Sequence, residues 1–341
     1  MPGTTSAVAL IGSPFQALSL LEYVRGAGIE SGLVFVNRLP DAAMLTPTFN
    51  TLARLEGEFT FRFRPRGGFG HPTEKTAGVA RGLADIVRAE GFAGAQLVLG
   101  DYRETVGWRL ARDLDRGPDS VVVLDDGNMT MLIDRTDGGV RPLTWSDEAE
   151  RGGFLPLPAV TFFTAYPDLL QSAPGDVIRT NAWAWVKAQY VGLPRSETLT
   201  LVVGQGLTRV GVTDDALELR IARELIATAR AVQPDSTPLY MAHRAESTAK
   251  LRALSAECDV VRFDVPAELV PIEAGILPAA IVGNYSTVLT SFADLVPGAF
   301  PIYAVELPFD ELLDRRKRIK LAYDEYVSRY AGLITVVAPS T

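Results

Sequence analysis

The residues best suited to chemistry sit just beyond short apolar runs. Asp125-Asp126-Gly127 follows Val121-Val122-Val123-Leu124. At the end of a buried strand, such a carboxylate faces the crevice where open α/β sheets bind ligands. A part-buried acid beside a second acid has a raised pKa and can act as a general base. The same residues also fit a β-hairpin, because Asp-Gly is a favoured two-residue turn and residues 129–133 could form the return strand. His243 follows Pro238-Leu239-Tyr240-Met241-Ala242. A histidine there can give a proton or a hydrogen bond to a departing phosphate; the alternative is a capping or exposed histidine. Gly283-Asn284-Tyr285-Ser286-Thr287 follows the apolar run 279–282. Hydroxyls at a helix start can hold a phosphate together with free backbone N–H groups, or simply cap the helix. Gly204-Gln205-Gly206 follows Leu201-Val202-Val203, and its glycines either admit a ligand close to the backbone or mark a plain turn. His71, in the polar, glycine-rich stretch 67–75, has no comparable setting.

The elements that must position these residues alternate along the chain. Residues 7–11, 31–36, 96–100 and 120–124 read as buried strands, and 15–26, 76–89 and 104–114 as helices. Runs of β-branched residues and leucine bounded by Gly, Asp and Pro suit a parallel sheet covered on both faces. Residues 134–193 are rich in Gly and Pro and read as loops ending in a helix near 180–190. The alternation then restarts, with strands at 198–203, 238–242, 260–263, 279–282 and 301–305 and helices at 214–231, 247–257, 268–276 and 310–330. The expected fold is α/β of GT-B type: two Rossmann-like, doubly wound domains facing a cleft. The expected division is 1–193, carrying the acidic pair, and 194–341, carrying the other three segments. The last helix is expected to pack back on the first domain.

Composition excludes several classes. The net charge of −8 leaves no general basic face to displace counterions from nucleic acid. One cysteine, Cys258, rules out an intramolecular disulfide, and with two histidines it makes a zinc site of His and Cys ligands a poor fit. No run approaches the roughly 20 apolar residues of a membrane span, and the first residues lack a basic signal-like region. A cytoplasmic protein is expected, with the cluster Arg315-Arg316-Lys317-Arg318-Ile319-Lys320 as a solvated helix face. Weak peripheral contact with an anionic membrane at the inner face is the alternative for that cluster. The sequence allows a homodimer without requiring one.

Taken together and in order, the segments resemble the bacterial lipooligosaccharide sialyltransferases and capsular polysialyltransferases. The resemblance rests on short motifs spread over most of the chain. Ser13-Pro14-Phe15-Gln16, ahead of a helix with Glu22, is similar to that group's opening strand, turn and helix. Leu99-Gly100-Asp101-Tyr102-Arg103 is similar to a segment preceding its acidic motif, which Asp125-Asp126-Gly127 matches. The resemblance implies that Asp125 is the general base and His243 the phosphate partner or general acid. It implies that Gly204 and Gln205 open the nucleotide domain. It also implies that Glu273, in Pro271-Ile272-Glu273, holds the ribose, and that Ser286 and Thr287 hold the CMP phosphate. Arg244 departs from the group, which has proline after the histidine.

The implied activity is inverting transfer of sialic acid, or a related nonulosonic acid, from a CMP-activated donor to a glycan hydroxyl. No metal and no cofactor besides the donor is expected, because the leaving group carries a single phosphate. The alternatives are a GT-B transferase using CMP-Kdo or a UDP-sugar, and a non-catalytic protein that binds nucleotide or glycan.

Overall fold

The structure is a computed structural model describing residues 6–37, 45–65, 74–115, 120–133, 135, 159–284, 286–313, 320, 323–324 and 327–338. His71, Tyr285 and residues 315–319 of the basic cluster lie outside the described residues. The chain divides into two compact units, Met1–Trp185 and Val186–Thr341.

The first unit holds seven strands among the described residues: β1 (Ser6–Ile11), β2 (Ser31–Asn37), β3 (Glu58–Arg64), β4 (Gln96–Leu99), β5 (Val121–Leu124), β6 (Thr161–Thr164) and β7 (Val177–Thr180). Their order is β3-β2-β1-β4-β5-β6-β7, and every pairing is parallel. The connecting helices include α1 (Pro14–Ala27), α2 (Thr46–Leu52), α3 (Glu74–Ala89) and α4 (Thr105–Asp113). Parallel strands need such crossovers, which cover both faces and explain why β1 and β5 are apolar almost throughout. Alternate residues of β1 enter opposite cores. Val8 and Leu10 pack with Leu33, Val87 and Leu99. Ala7, Ala9 and Ile11 pack with Leu20, Val34 and Val122. Removing one such buried leucine typically costs about 2–5 kcal/mol. Helix α1 has clear boundaries in sequence. Ser13 caps it by accepting from the Gln16 N–H at 3.2 Å, Pro14 opens it, and Gly28 ends it in the left-handed conformation at φ 64°.

The second unit repeats the plan. It contains α5 (Ala184–Tyr190, all but its first two residues), β8 (Leu199–Val203), α6 (Asp215–Val232), β9 (Thr237–Met241), α7 (Thr248–Leu254) and β10 (Asp259–Val261). It continues with α8 (Val270–Ala274), β11 (Ala280–Gly283), α9 (Thr287–Leu295), β12 (Ile302–Val305) and β13 (Ile334–Val337). The strand order is β10-β9-β8-β11-β12-β13, again parallel throughout. Each unit thus has a switch point where chain order reverses, between β1 and β4 in one and between β8 and β11 in the other.

The division between the units falls at Trp185 rather than after Leu193. The reason is packing: Tyr190 of α5 stacks edge-on against Phe292 and donates its hydroxyl to the Glu268 carbonyl. Three expectations change. The stretch 134–193 is not all loop before its helix, since it supplies β6 and β7. The hairpin alternative for the acidic pair is not what forms, because Gly127–Leu132 is a 3-10 turn and the partner of β5 on that side is the parallel β6. The helix expected over 310–330 starts later than expected: Phe309–Glu311 is a single 3-10 turn and 312–313 are not helical, while the described residues of the remainder up to 329 (320, 323–324 and 327–329) are helical.

Candidate functional site

In the first unit the ends of β1, β4 and β5 carry a connected polar cluster at the switch point. The Gln16 side chain bridges it: its Oε1 accepts from the Gly12 N–H at 2.6 Å, and its Nε2 donates to Asp126 Oδ1 at 2.8 Å. Arg103 reaches both flanking acids. It donates to Asp101 through its backbone N–H and guanidinium at 2.7–2.9 Å, and its Nη2 also pairs with Asp126. Gly100 lets the strands close around Gln16, since a β-carbon there would lie 2.8 Å from the Leu10 carbonyl oxygen.

The two acids of the motif have different surroundings. Asp125 is 0% exposed, and its Oδ2 accepts from the Ala165 N–H at 2.8 Å, on the β6 side. Burial pushes its carboxyl up to about 7, against the opposing pull of the Thr164 hydroxyl, the Ala165 N–H and Thr130. The Asp126 side chain is 24% exposed and points toward Gln16 and Arg103, on the switch-point side. The resemblance gives proton abstraction to Asp125, and the Asp-Gly sequence leaves Asp126 as the residue expected to hold the Gly127 turn. The turn is braced instead by Thr130, whose Oγ1 accepts from the Asp126 N–H at 2.9 Å, so the Asp126 carboxylate is left to Gln16 and Arg103.

Asp101 is also pushed up to about 7, by burial and by the Asp126 carboxylate, with Arg103 opposing. Both raised acids therefore bind protons in the folded state that the unfolded chain releases near pH 4. Their contribution to stability is complete below about pH 4 and is lost as pH rises through about 7. Thermal unfolding is expected to show a Tm that falls between pH 5 and pH 8, with a shallower fall in Asp125→Asn. Identical slopes in wild type and variant would show that Asp125 does not titrate in this window.

In the second unit three neighbouring strand ends come together. Gly204 follows the central β8, and its N–H donates to the Met241 carbonyl of β9 at 2.9 Å. On the other side Gly283, ending β11, lies against Val203. His243 and Ser286 thus share the carboxyl edge, on strands about 10 Å apart at ordinary spacing. Gly206 is close to the histidine: a β-carbon there would fall 2.7 Å from the Ala245 Cβ and 3.2 Å from His243 Nδ1. The Nδ1 atom accepts from the Ala245 N–H at 3.1 Å, which puts the proton of a neutral ring on Nε2. The ring reaches solvent. Desolvation on its remaining sides and the charges of Arg244, Lys250 and Arg209, against Glu218, push its pKa down to about 4. At neutral pH His243 presents its Nε2–H as a hydrogen-bond donor.

Ser286 caps α9, its Oγ accepting from the Val288 N–H at 3.3 Å, and Thr287 begins the helix. Glu273 is not brought to this edge. It is exposed in the last turns of α8, and the chain leading from it runs to the amino ends of β8 and β11, where Leu277 bonds Pro194 and Ala279 bonds Leu199. The sequence reading missed Glu218, Glu246 and Lys250, which lie beneath these loops. The signal available was the spacing of four between Glu246 and Lys250. Among the described residues no group of three or more His, Cys, Asp or Glu is arranged to hold a metal ion, and no helix is long and apolar enough to cross a membrane.

Two doubly wound parallel units, each with its own switch point, define a GT-B-type fold. Among solved structures, the chain is similar to S. aureus MnaA in complex with UDP, with a TM-score of 0.56 at 12% identity over 98% of this chain and 84% of that one. It is also similar to Medicago truncatula UGT71G1 complexed with UDP-glucose, with a TM-score of 0.52 at 10% identity over 97% and 84%. Comparison with family models gave no match, and comparison with curated proteins gave none.

Proposed function

We propose that this protein is a glycosyltransferase using a nucleotide-activated sugar. The observation that carries the reading is the convergence of His243, the 204–206 loop and the Ser286-capped start of α9 at the switch point of the second unit. Backbone N–H groups, hydroxyls and an imidazole Nε2–H together suit a phosphate whose negative charge grows as the sugar departs. In the reaction an acceptor hydroxyl attacks the anomeric carbon on the face opposite the nucleotide. The new C–O bond forms as the bond to the phosphate oxygen breaks, and that oxygen keeps the electron pair. His243, Ser286 and Thr287 stabilise the departing phosphate. The hydroxyl proton passes to a carboxylate of the acidic pair. Asp126 is assigned this step because it is the accessible member and faces the switch point, while Asp125 forms the floor beneath it.

The motif resemblance supports a CMP-activated nonulosonic acid as donor. A UDP-sugar is the second reading, favoured by the two similar structures, which hold UDP and UDP-glucose. Thermal shift separates them, since a ligand of the folded state raises Tm by mass action. CMP is expected to stabilise the protein more than UMP or UDP. A larger shift with UDP would move the donor to the second reading, and no shift with any of the three would remove the nucleotide site.

A further inference from the structure

Beneath the two loops of the second unit lies a buried set of charges that the proposed reaction does not use directly. Glu246 accepts three donors. Its Oε2 takes the His243 backbone N–H at 2.5 Å, and its Oε1 takes the Tyr240 hydroxyl at 2.6 Å and the Lys250 ammonium at 2.5 Å. Lys250, itself buried, continues to Glu218 Oε1 at 2.9 Å and to the Gln205 carbonyl at 3.3 Å. The other Glu218 oxygen accepts from the Thr208 N–H at 2.7 Å. The backbone groups that these three side chains hold, at His243, Gln205 and Thr208, all belong to the two loops. Glu246 also fills the space under Gly204, where a β-carbon would lie 2.5 Å from its Oε2.

A surface ion pair would contribute little and have no reason to be here. A buried set costs desolvation and is retained where it fixes geometry, as multiple satisfied hydrogen bonds do. We infer that Glu246, Lys250 and Glu218 are positioning residues that lock the 204–208 loop and the 243–246 turn in the arrangement that receives the nucleotide's phosphate. The inference rests on the proposed nucleotide site. Glu246 holds the turn from both ends, since its own N–H donates to the His243 carbonyl at 3.0 Å while its carboxylate takes the His243 N–H. That closed turn lets Ala245 reach Nδ1 and so keeps the ring proton on Nε2, facing the ligand.

Glu246→Gln tests this with little change of volume. A glutamine offers one oxygen to the three donors. The Lys250 ammonium cannot reverse its polarity, so the oxygen turns to it and the amide NH₂ faces the His243 N–H, opening the turn. With only two histidines in the chain, a His71→Gln background leaves His243 as the sole imidazole, and ¹⁵N NMR of the ring reads its tautomer without any ligand. The parent is expected to show a neutral ring protonated on Nε2 at pH 7. Glu246→Gln should shift the ring from Nε2–H alone to the mixed tautomer population of an unheld imidazole and bind CMP about tenfold more weakly, a loss of about 1.4 kcal/mol. Glu218→Gln, which frees Thr208 but not the turn, should weaken CMP while keeping the signature, and it carries the test if Glu246→Gln does not fold. An unchanged signature in Glu246→Gln, or unchanged CMP affinity in either variant, overturns the inference. If the parent binds no nucleotide, the proposed function fails, and the ring spectrum alone then decides whether Glu246 positions His243.

Discussion

Asp126→Asn is expected to lower turnover by about 10²–10⁴-fold while leaving nucleotide affinity unchanged, the range for removal of a positioned general base. The amide keeps the size of the side chain and its oxygen can still accept from Arg103, but its NH₂ then faces the Gln16 Nε2–H, whose amide is held in place by the Gly12 N–H. The variant therefore loses the proton acceptor and one hydrogen bond of the cluster. Asp125→Asn provides the contrast. Its carbonyl can accept the Ala165 N–H in place of the carboxylate, and the residue has no surface on which to meet a hydroxyl. Turnover in that variant is expected to stay within about tenfold of wild type. Measuring kcat and nucleotide affinity for both variants decides the matter. A collapse in Asp125→Asn with near-normal Asp126→Asn would return the proton to Asp125, the residue that the motif resemblance favours.

Gly204→Ala is expected to have the second large effect. Its backbone angles are not left-handed, so the need for glycine is one of space. An alanine methyl would sit 2.5 Å from Glu246 Oε2, 2.8 Å from the Met241 carbonyl oxygen and 2.9 Å from the Tyr240 ring. The carbonyl belongs to a paired strand and cannot yield, so the 204–206 loop must lift. Overpacking of this kind costs about 1–3 kcal/mol, equivalent to roughly 2–4 °C of Tm per kcal/mol for a unit of this size. Lifting the loop also moves its N–H groups away from the phosphate, so nucleotide binding should fall by more than the loss of one hydrogen bond, about tenfold or beyond. Calorimetric titration and thermal melting on the same preparation check both halves. A normal Tm with normal affinity would show that the loop has room that its neighbours do not leave it.

The doubly wound plan was legible because both central strands of each sheet are continuous apolar runs, and their helices carry caps such as Ser13 and Asp214. What escaped was short or disguised. The edge strand β3 alternates Phe59, Phe61 and Phe63 with Thr60, Arg62 and Arg64, a half-exposed pattern that lacks the apolar run of its neighbours. Strands β6, β7 and β13 have four residues each, and β6 and β7 lie in a stretch whose Gly and Pro content reads as loop. At the site, strand-end placement was visible for Asp126, His243, Gly204 and Ser286 because an apolar run precedes each. Which of two adjacent acids faces outward was not, since that depends on Ala165 and Arg103, some 40 and 23 positions away. Glu273 illustrates the converse: a matching segment fixes residue type but not the edge of the sheet to which the chain returns.

The central strand β1 pairs with β2 and, through Ala7↔Gln96, with a strand about 90 residues further along. The second sheet has the same habit, with Thr200 of β8 waiting for Ala280. At translation rates of 5–20 residues per second, each of these strands spends roughly 4–20 s on the ribosome with one side of an apolar ladder open. Nascent chains of this protein should therefore occupy holding chaperones in two separate windows of synthesis, one for each sheet, with release when β4 and then β11 emerge.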